Sequence, residues 1–212
     1  MEPIVNAPLG REKAAPEGGI PDLDAVLDRT GTDSLKWERY RGRDVLPLWV
    51  ADMDFPAPEA VQAALRRRVA HPVFGYTVPP DGLKAACQEW LLKRYGWQTQ
   101  PEWLVWMPGV VSGFNVVCRA FGETGDEVLC PRPVYPPFFR APGLAGKRLA
   151  AVDLTLAEGR WTYDMEKLAR AFTPRSRILL FCHPHNPTGT VFSRKELEAI
   201  AGWVGRGSCR GR

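Results

Sequence analysis

Histidine, cysteine and long apolar runs are all scarce in this chain. It has three histidines and five cysteines in 212 residues. No two cysteines form a C-x-x-C pair, which argues against the common zinc and redox motifs. Cys87, Cys118, Cys130 and Cys182 instead fall in apolar helix or strand patterns, the setting of reduced core thiols in a cytoplasmic protein. No apolar run approaches the roughly 20 residues of a membrane span, so no membrane partner is expected. The opening MEPIVNAPLGREK lacks the apolar segment of a secretory signal. No internal repeat is visible. The net charge of +4 is modest and spread along the chain. Its densest basic run, Arg66-Arg67-Arg68, sits late in a predicted helix, where cations complement the helix dipole. Without a basic stripe or interleaved stacking aromatics, no nucleic-acid partner is expected.

What is present is an alternation of helices and strands in a chain of 45% apolar and 25% charged residues, ordinary for a globular protein. The first 22 or so residues, rich in proline, glycine and charge, read as irregular. Residues 1–45 are expected to form an N-terminal arm or small-domain segment, 46–204 an incomplete ligand-binding domain, and 205–212 a separate Gly/Arg tail. Pro58–Ala70 reads as a helix with Val61, Ala64 and Leu65 on one face. A second helix is capped by Asp81, turns Leu83, Ala86, Cys87, Trp90 and Leu91 inward, and ends at Gly96. WLVWM (103–107) reads as a buried strand. Gly109 turns the chain into a helix whose inner face is Val110, Phe114, Val117, Cys118 and Phe121. EVLC (127–130), RLAAVD (148–153) and RILLFC (177–182) are further strands, with a short helix after the first and DMEKLARAF (164–172) as a helix before the last. Ser193 and Glu196 form a capping box for a final helix with Leu197, Ile200, Ala201 and Val204 inward. Short, non-alternating apolar strands between helices predict an α/β fold, a mainly parallel sheet with helices on both faces. Ligands of such folds bind beyond the carboxyl ends of the strands.

Three loops lie at those ends. In MPGVVSGFN the glycine permits a turn, and the free N–H groups of Val110, Val111 and Ser112 open a helix, a natural anion site. A plain strand–helix turn would use the same residues. The loop lacks the glycine spacings of dinucleotide and P-loop sites. In CPRPVYPPFF, prolines restrict the backbone around Tyr135; its ring either stacks on a flat ligand or is an ordinary core or rim tyrosine. In CHPHNPTG, Pro187 biases Asn186 towards extended backbone. Its amide either donates to a ligand oxygen or closes an Asx-type turn. His183 and His185 have no third ligand at suitable spacing, so loop packing suits them better than metal. Together the loops offer a phosphate cradle, a stacking ring and a fixed donor, a set that suits a flat phosphorylated aromatic cofactor such as pyridoxal 5'-phosphate.

HNPTG, PGVVSGFN and PRPVYPPF together resemble the fold-type I pyridoxal-phosphate enzymes of the class I/II aminotransferase family. LPLWVADMDFPAP, FGYTVPPDGL and CHPHNPTGTVF are more narrowly similar to its MalY/PatB-type cystathionine β-lyase branch, over roughly residues 20–204. The resemblance implies part of the fold-type I large domain. It implies that Val110 and Val111 give backbone N–H groups to the cofactor phosphate, that Tyr135 stacks on the pyridine ring, and that Asn186 bonds the ring's phenolic oxygen. Tyr76 would reach the phosphate of a neighbouring subunit in a homodimer. Asp52 and Asp54 lie where the family lines its substrate entrance, without an assigned chemical role. The implied reaction is α,β-elimination from a small amino-acid substrate to thiol, pyruvate and ammonia. A class I/II aminotransferase is the alternative, and a non-catalytic ligand-binding or regulatory remnant a third reading.

The family's Schiff-base lysine follows in a later Ser-x-x-Lys segment, after a strand that bears the acidic partner of the pyridine nitrogen. None of the seven lysines here occupies that position, so no catalytic residue is assigned and the chain by itself is expected to be inactive. The closing GRGSCRGR breaks the helical pattern near Val204, and arginine outnumbers lysine 21 to 7. The expectation is a frameshifted or mis-ended reading of a GC-rich gene.

Overall fold

The computed structural model describes residues 22–209. The chain divides into two compact units between Pro79 and Pro80, and the boundary expected at 45/46 falls inside the first of them. The irregular arm expected over the first 22 residues lies almost wholly outside the described residues.

Among its described residues the first unit carries two helices, α1 (Leu35–Glu38) and α2 (Glu59–Ala70). Its organising feature is a charge cluster. The Arg29 guanidinium donates to Asp54 Oδ1 at 2.7 Å and Asp52 Oδ2 at 2.9 Å. Lys36, buried, donates to Asp54 Oδ2 at 2.6 Å and to the Asp52 carbonyl at 2.8 Å. The Trp37 indole N–H completes the set on Asp54 Oδ1 at 2.9 Å. The two carboxylates therefore tie the 52–54 segment to α1. Hydrogen bonds from Lys36, then Trp37 and Arg29, hold the Asp54 carboxyl well below the usual carboxylate range. A carboxyl depressed in the folded state stabilises above its unfolded pKa of about 3.9, and that contribution fades as pH falls below it. Asp54→Asn is thus expected to melt below the unsubstituted chain at pH 7, with the gap closing below about pH 4. Thermal melts of both chains across that range check this; a pH-independent gap contradicts it. α2 buries none of its residues. The inward face expected of Val61, Ala64 and Leu65 is exposed, because no described element packs over it.

The second unit opens with α3 (Asp81–Tyr95), closed by Gly96 in the left-handed region at φ 63°. There the Gly96 N–H donates to the Leu92 carbonyl and Trp97 N–H to that of Leu91, the expected stop. Asp81 is the first helical residue, not a cap, and no side chain caps this end. Of the expected inner face, Cys87 and Leu91 are half-buried while Leu83, Ala86 and Trp90 are exposed. Residues 103–107 are not a strand. A 3-10 turn spans Pro101–Trp103, and the chain then runs unpaired, with Val105 77% exposed. An extended segment becomes a strand only where a neighbour takes up its backbone hydrogen bonds, and no described residue does so.

Next come α4 (Val110–Ala120), β1 (Glu127–Arg132), α5 (Pro137–Leu144), β2 (Arg148–Asp153), β3 (Thr155–Ala157), β4 (Arg160–Thr162), α6 (Met165–Ala171), β5 (Ser176–Leu179) and α7 (Arg194–Cys209). The sheet order is β2-β1-β5, all parallel. The α/β reading therefore holds, with three parallel strands where four were expected. β1 is central, and its successive residues point to opposite faces. Val128 and Cys130 join Cys118 of α4 and Phe138 and Ala141 of α5 on one side. Leu129 joins Val152, Leu168 of α6 and Ile200 of α7 on the other. Burial from both sides is why this strand is apolar without alternation.

Some inward faces are narrower than their periodicity suggested. On α4, Cys118 is buried and Phe114 packs beside it, but Val110, Val117 and Phe121 are exposed. On α7, Ile200 is buried and Leu197 half-buried, while Ala201 and Val204 are exposed. α7 also continues through Gly205 to Cys209, beyond the break read in the sequence. Two caps form: the capping box as read, and one at Asp164, which the sequence pattern places inside its helix. Asp164 accepts from the N–H groups of Glu166 and Lys167. Ser193 N–H donates to Glu196 at 2.7 Å and Glu196 N–H to Ser193 Oγ at 3.3 Å. The hairpin β3–β4 is an addition; Glu158 (φ 50°) and Gly159 (φ 74°) form its two-residue turn.

Candidate functional site

The parallel sheet places the segments after β1 and β5 at one end, and the elements that follow them build the site. After β1, Val134 turns inward and is buried, leaving Tyr135 40% exposed. Pro136 and Pro137 then start α5, with the Tyr135 carbonyl accepting from Phe138 N–H at 3.0 Å. After β5, Leu180 N–H still donates to the Leu129 carbonyl at 2.9 Å, which carries the strand direction towards residues 182–190.

That turn is internally wired. His185 N–H donates to the Thr190 carbonyl at 2.8 Å, and Gly189 N–H to the His185 carbonyl at 2.7 Å. The Thr190 hydroxyl reaches the Trp161 carbonyl at 3.1 Å. Asn186 is held only through its main chain: its N–H donates to Cys182 Sγ at 3.4 Å, and its carbonyl accepts from Tyr135 N–H at 3.0 Å. That last bond joins the two loops directly. The Asn186 side chain is exposed and makes no hydrogen bond to a described residue. It therefore closes no Asx turn, and its N–H₂ is available as a donor.

The third element is the start of α4. Gly109 has φ 136° and ψ 159°, backbone that only glycine adopts at low cost. A Cβ there would meet nothing within 4 Å, so the requirement is conformational. Gly113 N–H donates to the Gly109 carbonyl at 3.0 Å, the first turn of the helix. No described side chain caps the N–H groups of Val110, Val111 and Ser112, the arrangement that suits an anion. α4 is tied to the Tyr135 loop by Phe114, whose ring lies 5.0 Å from that of Phe138. The second unit thus joins Tyr135 directly to Asn186, and carries Val110 and Val111 at the start of α4. Tyr76 belongs to the first unit, fully exposed on an extended segment.

The thiols and imidazoles near these elements are chemically quiet. Burial pushes the Cys130 thiol up to about 12 and raises that of Cys118, so both stay protonated and carry no nucleophile. His183 stacks on Phe181 with centroids 6.0 Å apart, and its Nδ1 accepts from Phe192 N–H at 3.4 Å. His185 is 1% exposed with both ring nitrogens facing carbonyls, Pro133 at 2.7 Å and Cys182 at 3.3 Å. Both histidines pack loops, as read. What the sequence did not reveal is that His185 reaches across to the Tyr135 loop. Asp52 and Asp54 likewise proved to be ion-paired, to Arg29 and Lys36, which lie 18 to 25 residues from their partners and left no sequence signal.

Residues 43–207 match the model of the family described as Aminotransferase class I and II. The chain belongs to that family. Among its relatives is the cystathionine β-lyase PatB of Bacillus subtilis, 39% identical over 181 residues, which span 83% of this chain and 47% of PatB. Among solved structures, OvoB superposes with a TM-score of 0.82 at 45% identity, covering 86% of this chain and 48% of that one. Cystalysin from Treponema denticola, a structure containing pyridoxal 5'-phosphate, superposes with a TM-score of 0.83 at 33% identity, over 89% of this chain and 50% of its own. The fold is thus that of the fold-type I pyridoxal-phosphate enzymes, as the sequence motifs implied. The chain spans about half the length of the curated relatives it matches. Among the described residues, no helix is long and apolar enough to cross a membrane.

Proposed function

We propose that this chain forms the pyridoxal-phosphate-holding part of a C–S β-lyase that acts on a small amino-acid substrate, working as a cytoplasmic homodimer. The observation that carries the reading is the bond from Tyr135 N–H to the Asn186 carbonyl, which joins the loop bearing the ring to the turn bearing the unpartnered amide. The uncapped N–H groups opening α4 supply the third requirement, a seat for a phosphate. Similarity to proteins named as cystathionine β-lyases favours elimination over transamination.

In this reading Val110 and Val111 donate their N–H groups to the phosphate, where the helix dipole adds to the attraction. The Tyr135 ring packs on the face of the pyridine. The Asn186 N–H₂ donates to the phenolic oxygen and stabilises its negative charge. Tyr76 reaches the phosphate held by a second copy of the chain. When bound, pyridoxal phosphate supplies a conjugated ring that accepts the electron pair left behind as the substrate Cα–H breaks. In a complete enzyme the reaction this chemistry would support is the elimination of a thiol, with water giving pyruvate and ammonia as the other products. No described lysine lies in the three loops, so the chain by itself holds the cofactor without a covalent bond and has no group poised to take the Cα proton.

Titrating the folded chain with pyridoxal phosphate while following tryptophan fluorescence tests this. Saturable quenching is expected, weakened in Tyr135→Ala, with no cofactor fixed to a lysine by borohydride and no pyruvate released from cystathionine. A folded chain that takes up no cofactor overturns the binding role. Borohydride fixation on one particular lysine overturns the non-covalent one.

A further inference from the structure

Tyr135 and Asn186 sit on different loops, and one main-chain hydrogen bond joins them directly. A second tie runs beneath it. The His185 imidazole lies under the Asn186 turn, 1% exposed, and its Nε2 is 2.7 Å from the Pro133 carbonyl. That distance fits donation by a ring N–H. The ring's other nitrogen faces the Cys182 carbonyl at 3.3 Å, and its edge meets the Phe192 ring at 6.1 Å and 77°. The His185 main chain is held at both ends, by Thr190 and by Gly189. The imidazole is therefore a fixed strut. It rests on Phe192, spans from the turn after β5 to the loop after β1, and ends two residues before Tyr135.

We propose that His185 is a positioning residue that sets the spacing between the Tyr135 ring and the Asn186 amide through its Nε2 bond to the Pro133 carbonyl. A side chain that only filled the space would leave that part-buried carbonyl without its donor. The loop after β1 would then be free to move away from the turn. The inference rests on the proposed cofactor role for the meaning of that spacing, but the strut itself is testable without cofactor.

Glutamine can place its amide nitrogen near the position of Nε2, whereas asparagine places it near Nδ1. His185→Gln should therefore preserve the tie and His185→Asn should break it, although both are polar and both are smaller than histidine. Amide hydrogen exchange on the cofactor-free chain reads the tie directly. The Tyr135 N–H should exchange at least tenfold faster in His185→Asn and stay near the unsubstituted rate in His185→Gln, while β1 amides stay protected in both. Cofactor titration reads the consequence. His185→Asn should bind pyridoxal phosphate about tenfold more weakly, the loss expected of one hydrogen bond's worth of alignment, with His185→Gln within about threefold. Inorganic phosphate, which needs only the start of α4, should compete equally well in every variant.

Unchanged Tyr135 exchange in His185→Asn overturns the proposal. So does a parallel loss of phosphate competition, which would mean that His185 supports the whole unit and not the spacing. If Tyr135 exchange responds as described but no variant, nor the unsubstituted chain, takes up pyridoxal phosphate, the strut stands and the proposed cofactor role falls.

Discussion

An Asn186→Ala chain is expected to bind pyridoxal phosphate about 10- to 100-fold more weakly than the unsubstituted chain. A hydrogen bond to a charged oxygen is worth about 1.5–3 kcal/mol, and the Asn186 amide has no competing partner among the described residues. The substitution is clean because alanine keeps the main-chain carbonyl that accepts from Tyr135 N–H. The two loops stay joined and only the donor is lost. Asn186→Asp should do at least as much harm, since a carboxylate offers no donor and repels an anionic oxygen. Fluorescence titration gives the affinity, and the pH titration of the bound cofactor's absorption reports on the phenolic oxygen. If affinity and spectrum both match those of the unsubstituted chain, the amide does not face the cofactor.

Leu129→Ala should have the largest effect on stability, about 2–5 kcal/mol. Leu129 is fully buried in the middle of the central strand, packed with Val152, Leu168 and Ile200. Elements on both sides hold that space open, so the cavity cannot collapse. Against a total of about 5–15 kcal/mol for a typical domain, much of the folded population is at stake. Val110→Ala is the matching control, since Val110 is 82% exposed and little packing is lost. Urea unfolding of the two variants should separate them by more than about 1.5 kcal/mol; equal midpoints would mean that β1 is not the centre of the core.

What could be read from the sequence was mostly what is decided locally. The Ser193–Glu196 box and the stop at Gly96 each depend on residues within one turn of each other. β1 was legible because a short apolar run buried on both faces has few other uses, and β2 because it is a second short apolar run between helices, although Val152 alone in it is buried. The failures share a different cause. Val61 and Leu65 on α2, Trp90 on α3 and Val117 on α4 follow helical periodicity, but periodicity shows which face prefers burial and not whether anything covers it. The same holds for residues 103–107, apolar enough for a strand but without a neighbour. The β3–β4 hairpin turns on Glu158-Gly159, a weaker signal than Asn-Gly or Asp-Gly. At the site, the motifs marked Val110, Tyr135 and Asn186 individually. The contact between Tyr135 and Asn186 depends on β5 lying beside β1, and the His185 strut depends on that contact in turn.

The Tyr135–Asn186 bond also couples ligand capture to folding. It closes a loop that contains α5, β2, both strands of the hairpin, α6 and β5. The two residues can meet only after β5 has docked on β1, late in the search for non-local contacts. A chain with β5 undocked offers the uncapped start of α4 but no assembled clamp. A ligand that needs the clamp therefore binds the native state alone and stabilises it by mass action, by about 2.7 kcal/mol at a hundred times its dissociation constant. The converse follows from the same linkage. A substitution anywhere in the β1–β5 contact weakens apparent affinity by the factor by which it depletes the docked state, even where it touches no atom of the site.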